Sequence, residues 1–67
     1  MRIKVFIERT QEEKEIVFHG ETVGDLLKEL GIPISEVVVV KNDEVVTEDE
    51  KIEEGDFIKI IDVVSGG

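Results

Sequence analysis

The sequence has no cysteine, tryptophan or tyrosine, and it has a single histidine, His19, among its 67 residues. Without cysteine the chain forms no disulfide, binds no metal through thiolates and has no thiol nucleophile. One histidine cannot build a histidine-type metal site, and no obvious nucleophile lies beside it for a Ser-His-Asp triad. These absences exclude disulfide scaffolds, thiolate zinc proteins and cysteine hydrolases, and we expect His19 to be a surface or capping residue.

Basic residues are also scarce. The chain has 8 lysines and arginines against 17 aspartates and glutamates, which gives a formal net charge of −9. Because affinity for nucleic acids comes largely from basic side chains that displace counterions, a nucleic acid is not the expected ligand. The acidity fits a protein partner with a basic docking face, or it serves only solubility, and both interpretations stay open. The acidic stretch at 48–54 lacks the spacing of a calcium loop, so we expect a solvated face and no bound metal.

Long apolar segments are a third absence. No run approaches the roughly 20 residues that a membrane span needs. Met1–Lys4 begins a strand rather than a signal peptide, and we therefore expect a cytoplasmic protein. Below about 80 residues a single core supplies little stability and leaves little chain to enclose a deep pocket. We expect neither a self-sufficient enzyme nor a bound cofactor.

Hydrophobic patterning predicts five strands, of which four or five form one mixed sheet. Apolar residues alternate in the first and last of them, which is typical of half-buried strands, whereas the unbroken run Val37–Val40 is typical of a strand that is apolar on both faces. A polar turn at 9–14 separates the first two strands, and a tight turn at 41–44 separates the third and fourth. The predicted strands are residues 2–8, 15–19, 37–40, 45–46 and 57–64.

A short helix is predicted between the second and third strands. Its apolar stripe has helical period, Thr22 is a suitable N-cap, and Asp25 places a carboxylate in the first turn. Gly31 suits a left-handed position at the C-terminal end, after which Pro33 prevents continuation. Gly24 weakens the helix by up to about 1 kcal/mol against alanine, which hints at a close backbone approach, although we expect chance to be the reason. The apolar stripe is Val23, Leu26, Leu27 and Leu30.

The order β-β-α-β-β-β predicts an α+β domain of two layers, because one helix covers only one face of a mixed sheet. A hairpin, a crossover helix and a last strand that pairs centrally make the β-grasp arrangement the most economical solution, with a rearranged ferredoxin-like fold as the alternative. We expect one domain over 1–64 and a flexible tail over 65–67. Phe6, Ile61, Val63 and one phase of Val37–Val40 fall on the face without the helix, which is either a docking surface or a thinly covered second face.

The last two residues do not serve the predicted architecture. At an average glycine usage of about 7%, two final glycines arise by chance in about one sequence in 200. Without side chains, Gly66 and Gly67 can enter a narrow channel and present the terminal carboxylate unhindered. A terminal carboxylate ordinarily has a pKa of about 3.5 and is ionised at neutral pH. It can therefore attack an activated phosphate and become an acyl donor to sulfur or to an amine.

Three segments together resemble the ThiS/MoaD family of ubiquitin-like sulfur carriers. Residues 54–67, with a Gly-Asp pair before a hydrophobic strand and a Gly-Gly end, are similar to the closing strand and tail of that family. Residues 21–27 are similar to its helix start, and residues 40–46 to its hairpin with a central asparagine. The resemblance covers nearly the whole chain, and the length favours the shorter, ThiS-like branch.

The resemblance implies a carrier that other proteins activate. An E1-like enzyme would use ATP to adenylate the carboxylate of Gly67, and a sulfur donor would convert it to a thiocarboxylate that a downstream enzyme accepts for thiamine, molybdopterin or tRNA thiolation. Gly66 and Gly67 would occupy the active-site channel, with Gly67 as the reactive residue. Ser65 departs from the family, which often has a small apolar residue there. The residues expected to bind the partner are Phe6, Ile61, Val63, Val64 and Ser65.

Two other functions fit the same tail. Some archaeal relatives are conjugated to lysines of other proteins, and such a modifier needs the same adenylated tail as a sulfur carrier. A third hypothesis is a non-covalent interaction domain whose final glycines are incidental. Deleting Gly67 separates the third hypothesis from the other two, because a pure binding module keeps its partner. For a carrier that presents its tail, we expect a monomer.

Overall fold

The computed structural model describes residues 1–63, which form one mixed five-stranded sheet with a helix on one face. Within these residues no helix has the length and apolar character that crossing a membrane requires. The elements are β1 (Arg2–Ile7), β2 (Glu12–Val17), α1 (Val23–Leu30), a single 3-10 turn (Ile34–Glu36), β3 (Val37–Lys41), β4 (Glu44–Val46) and β5 (Phe57–Asp62).

The strand order in the sheet is β2-β1-β5-β3-β4. The first and last strands, β1 and β5, pair in parallel at the centre, and the other three pairs are antiparallel. A parallel pair requires a crossover connection, and α1 lies within that crossover. This is the β-grasp arrangement, so the predicted fold is confirmed and the ferredoxin-like alternative is wrong.

The core lies between α1 and one face of the sheet. Val23 and Leu26 of α1 are fully buried, and Ile52 anchors the long connection between β4 and β5 at 3% exposure. Every buried position in the described residues is apolar. The core residues are Ile3, Val5, Ile7, Phe18, Val23, Leu26, Leu27, Val37, Val39, Ile52, Ile58 and Ile60.

The second strand differs from its prediction. It spans Glu12–Val17 rather than 15–19, because the hairpin register pairs Ile7 with Glu12 and leaves only residues 8–11 for the turn. Gln11 closes that turn with a φ of 56°. Phe18 lies beyond β2 but is buried, since its amide donates to the Met1 carbonyl at 2.7 Å. The polar residues at the start of β2 are therefore in a strand because they pair with β1, and not because their hydrophobic pattern is that of a strand.

The last strand is shorter than predicted. β5 ends at Asp62, and Val63 follows it at 49% exposure. Val64, which the sequence pattern also assigns to this strand, lies outside the described residues, as do Ser65, Gly66 and Gly67. The described part of the chain therefore reaches the base of the tail.

The helix begins and ends as predicted. The amide of Asp25 donates to the Thr22 hydroxyl oxygen at 3.3 Å, and a carboxylate oxygen of Asp25 accepts from the amides of Glu21 and Thr22 at 2.9 and 3.2 Å. Gly31 ends the helix with a φ of 72°. Gly24 lies against the β4–β5 connection, where its amide donates to the Glu48 carbonyl at 2.9 Å and a Cβ would stand 3.3 Å from that oxygen. Of the two explanations for Gly24, close backbone approach is the right one.

The capping carboxylate gives a prediction for pH dependence. The backbone hydrogen bonds from Glu21 and Thr22 lower the pKa of Asp25 below its ordinary value of 3.8. Because the pKa of Asp25 is lower in the folded state, the stabilisation by its ionised carboxylate is complete above pH 3.8. That stabilisation is lost as the pH falls through the folded pKa. Asp25→Asn keeps an acceptor oxygen but loses the charge. We expect the variant to have a smaller free energy of unfolding than wild type at neutral pH, with a difference that disappears in acid.

Urea unfolding of both proteins at pH 7 and at several values below 3.8 measures this difference. Glu29→Gln, the corresponding amide substitution on an exposed carboxylate of the same helix, serves as the control and should change the free energy of unfolding at pH 7 less than Asp25→Asn does. A difference between wild type and Asp25→Asn that stays constant with pH would contradict the role given to the charge.

Candidate docking face and tail base

The face of the sheet away from α1 carries several apolar side chains. Alternation along β5 places Ile58 and Ile60 in the core, fully buried, and Phe57, Lys59 and Ile61 on the opposite side, each partly exposed. The valine run behaves in the same way, because Val37 and Val39 are buried whereas Val38 is 38% exposed. We call this surface the open face and define it by Phe6, Val38, Val40, Phe57, Lys59 and Ile61.

The strand register makes the open face continuous. Phe6 of β1 lies beside Lys59 of β5, which lies beside Val40 of β3, and in the next row Ile61 lies beside Val38. Paired residues on one face stand close enough for their side chains to contact each other. The open face is therefore one connected surface across the three central strands.

A shallow groove of about 400 Å³ lies on the open face, lined by Phe6, Glu13, Phe57, Lys59 and Ile61. The Lys59 ammonium stands 5.5 Å from the centroid of the Phe57 ring, which is the geometry of a cation–π contact. The lining of the groove thus combines two aromatic rings and one isoleucine with one cation and one carboxylate. Such a surface suits an apolar protein segment better than a small ligand, since it encloses no cavity.

The structure brings Phe6 and Ile61 together in this groove, as the strand alternation predicts. Val63 has the same phase as Ile61 but follows the end of β5 and does not line the groove. The predicted residues Val64, Ser65, Gly66 and Gly67 lie outside the described residues. The sequence-based site omits Phe57 and Lys59, although the alternation of β5 already assigns them to this face.

Asp62 and Val63, at the base of the tail, form hydrogen bonds with residues on both sides of β5. The Val63 amide donates to the Glu36 carbonyl at 2.9 Å, and the Asp62 amide donates to a carboxylate oxygen of Glu8 at 3.2 Å. The Arg9 guanidinium bridges the two sides, with Nε 3.2 Å from Asp62 Oδ2 and Nη2 3.2 Å from Glu36 Oε1. Its hydrogen bond and charge interaction with Asp62, with a smaller effect of Glu36, raise the pKa of Arg9. We call Glu8, Arg9, Glu36 and Asp62 the tail clasp.

The hairpin asparagine and the Gly-Asp pair meet at the other end of the sheet. Asn42 Nδ2 donates to Asp56 Oδ1 at 2.9 Å, and the Phe57 amide donates to Asn42 Oδ1 at 2.9 Å. Asn42 and Asp43 form the turn with φ values of 49° and 71°, which short polar side chains tolerate best. A hydrogen bond from Lys41 Nζ to Glu50, 2.7 Å long, raises the pKa of Lys41. This network fixes the start of β5, so it serves architecture.

The acidic stretch at 48–54 is partly structural too. The Glu50 carboxylate pairs with Lys41, and the Glu54 carboxylate accepts from the Arg2 amide at 3.1 Å. Among residues 1–63, no group of three or more histidine, aspartate or glutamate side chains is arranged to hold a metal ion. His19 is exposed, as a surface residue is expected to be.

The fold and the family models agree on the class of this protein. The β-grasp sheet with one helix is the architecture of ubiquitin-like proteins, and the model of the ThiS family matches residues 4–67. The chain therefore belongs to the ThiS family of ubiquitin-like sulfur carrier proteins, whose members are carriers rather than catalysts.

Individual relatives agree with that assignment. The chain is 37% identical over 68 residues to an uncharacterized protein of Archaeoglobus fulgidus, with both chains covered completely. It is 32% identical over 60 residues to the sulfur carrier protein TtuB of Thermus thermophilus, covering 88% of this chain and 92% of that one.

Two solved structures share the fold over the full length of both chains. One is SAMP1 from Haloferax volcanii, with a TM-score of 0.75 and 20% identity. The other belongs to a complex of subunits 1 and 2 of the molybdopterin-converting factor from Helicobacter pylori, with a TM-score of 0.65 and 20% identity. At this identity the likeness concerns the fold alone.

Proposed function

We propose that this protein carries sulfur as a thiocarboxylate on Gly67, after an E1-like partner has activated the terminal carboxylate with ATP. The observation that carries the proposal is the open face, a connected apolar surface on a sulfur-carrier fold that ends in Gly-Gly. In this proposal residues 1–64 are the docking domain and residues 65–67 the tail that enters the partner.

The first chemical step is adenylation. An oxygen of the Gly67 carboxylate attacks the α-phosphorus of ATP, the bond to pyrophosphate breaks, and an acyl-adenylate and pyrophosphate form. A sulfur donor then delivers sulfur at the oxidation level of sulfide, which attacks the acyl carbon and displaces AMP. The product is a thiocarboxylate with the same oxidation state at carbon. The chain supplies the acyl group, and the ATP site belongs to the partner.

The docking step explains how a distant surface contributes to chemistry at the end of the chain. Phe6 and Ile61 hold the partner on the open face, and Val63, Val64 and Ser65 extend the contact toward the channel. Only four residues follow Val63. They span at most about 14 Å, so the docked partner must place its nucleotide close to the end of β5. Gly66 and Gly67 allow this approach because they carry no side chains.

The charge of the chain favours the same partner. At a net charge of −9 the protein is drawn toward a basic rim around an apolar docking surface, and opposite charges speed such encounters. A downstream enzyme then accepts the sulfur for thiamine, molybdopterin or tRNA thiolation. These three acceptors require the same activated tail.

The experiment is the intact mass of the protein purified from its native cells without reducing agent. We expect a fraction heavier by the exchange of one oxygen for one sulfur, and we expect deletion of Gly67 to abolish it. Unmodified protein together with Gly-Gly remnants on lysines of other proteins would show that the protein is a modifier and not a sulfur carrier. Finding neither modification while a stable partner still binds the truncated chain would support the non-covalent binding module.

A further inference from the structure

The tail clasp holds the last described residues at a fixed place in the sheet. Because β1 and β5 run in parallel, the turn that follows β1 lies beside the end of β5. Glu8 contacts this end twice, through its amide to the Ile60 carbonyl at 3.0 Å and through its carboxylate to the Asp62 amide at 3.2 Å. Arg9 then joins Asp62 to Glu36, which stands on the far side of β5. One side chain thus spans the strand from which the tail departs.

Stability alone is a weak reason for this arrangement. The side chains of Arg9, Asp62 and Glu36 are 43%, 33% and 56% exposed, and exposed ion pairs add little to the free energy of unfolding. The planar guanidinium nevertheless fixes the directions of its hydrogen bonds to two carboxylates, whereas a lysine ammonium acts as a point charge with rotatable donors. The clasp therefore fixes geometry more than it adds free energy.

We propose that Arg9 is a positioning residue for activation of the tail, acting through Asp62 and Glu36 to aim the chain at the channel of the adenylating partner. This inference rests on the proposed function. Because only four residues follow Val63 and they span at most about 14 Å, the direction in which the chain leaves Asp62 decides which region the tail can reach. Misplacement of a reacting group by about 1 Å can cost up to 100-fold in rate.

The positioning role predicts a split between kinetic constants. With the E1-like enzyme of the same organism, in an ATP–pyrophosphate exchange assay, we expect Arg9→Ala to lower kcat on the order of tenfold. The KM for the carrier should change little, because the open face is intact. Arg2→Ala is the matched control, since Arg2 pairs with Glu15 at the start of β1, whereas Arg9 lies in the turn after the end of β1. The control should leave both constants unchanged, and an unchanged kcat in Arg9→Ala would overturn the proposal.

A double-mutant cycle separates positioning from direct contact with the enzyme. If Arg9 acts through Asp62, then Asp62→Asn lowers kcat as well, and the double variant is no worse than the poorer single variant. If Arg9 itself contacts the enzyme or nucleotide, the two losses multiply, and the positioning role is wrong.

Amide hydrogen exchange of the free protein tests the clasp without any enzyme. We expect Arg9→Ala to speed the exchange of the Val63 amide, which donates to Glu36, while amides in the core of the sheet remain protected. An unchanged exchange rate of the Val63 amide in Arg9→Ala would show that Arg9 does not hold the base of the tail in place. If the enzyme fails to adenylate even the wild-type chain, the proposed function falls and takes the kinetic role of Arg9 with it, while hydrogen exchange still decides whether the clasp exists.

Discussion

We expect replacement of Ile61 with aspartate to raise the KM of the proposed adenylating partner for this chain by roughly 30-fold, the equivalent of about 2 kcal/mol for a central contact residue. Ile61 lines the groove with Phe6, and this partly exposed residue lies beside Val38. A carboxylate there removes apolar contact area and must be desolvated against the partner. Since the opposite face of β5 holds the core residues, the fold survives the substitution.

Val17→Asp is the matched control for this prediction. Val17 is 55% exposed and pairs with Arg2, at the end of the sheet opposite to the tail. The same substitution there adds the same charge to the same face, and we expect a KM within about twofold of the wild type, because exposed contacts at a rim contribute little. Equal losses in the two variants would point to charge alone, and no loss in folded Ile61→Asp protein would remove the open face from the activation step.

Leu26→Ala should destabilise the protein by about 3 kcal/mol, within the usual range for a leucine truncated in a packed core. Leu26 is fully buried between α1 and the sheet, among residues that are all apolar. A domain of this size has a total stability of roughly 3–10 kcal/mol, so the variant loses a large fraction of it. Urea unfolding followed by circular dichroism measures the loss.

Glu29→Ala, on the exposed side of the same helix, is the control for Leu26→Ala. It keeps the helix propensity high and touches no core residue, so its effect should stay within about 0.5 kcal/mol. A loss below about 1 kcal/mol for Leu26→Ala would mean that the site relaxes around the missing atoms, and that the helix is packed more loosely than its burial indicates.

Local signals were sufficient to predict the helix and its ends. Thr22, Asp25 and Gly31 act within a few residues of one another, and their geometry depends little on the rest of the chain. The bounds of β2 were wrong for the opposite reason. Its first residues are all polar, and only pairing with β1 makes them a strand. Which valines of Val37–Val40 face the helix also became clear only from the strand pairing in the sheet. A run that is apolar on both faces carries no information about which face meets the helix.

The candidate site also has one part that the sequence predicts and one part that only the structure shows. Alternation along β1 and along β5 puts Phe6 and Ile61 opposite the core residues of their own strands, and therefore predicts that both belong to the open face. The tail clasp joins Arg9 to Asp62 across 53 positions of sequence, and nothing local marks either residue as a partner of the other. Gly66 and Gly67 are the reverse case, because their chemistry follows from the sequence while their placement lies outside the described residues.

The central pairing of the first and last strands also sets when this molecule can fold. Lys4 and Phe57 are partners in the sheet, and a ribosome working at about 5–20 residues per second needs roughly 3–10 s to synthesise the stretch between them. Until then Ile3 and Val5 have no β5 beside them, and the hairpin alone is marginal in water. Folding therefore waits until β5 has been synthesised. A chain that stops before β5 stays unfolded and open to proteases, so the folded population consists of molecules that already contain the strand leading into the tail.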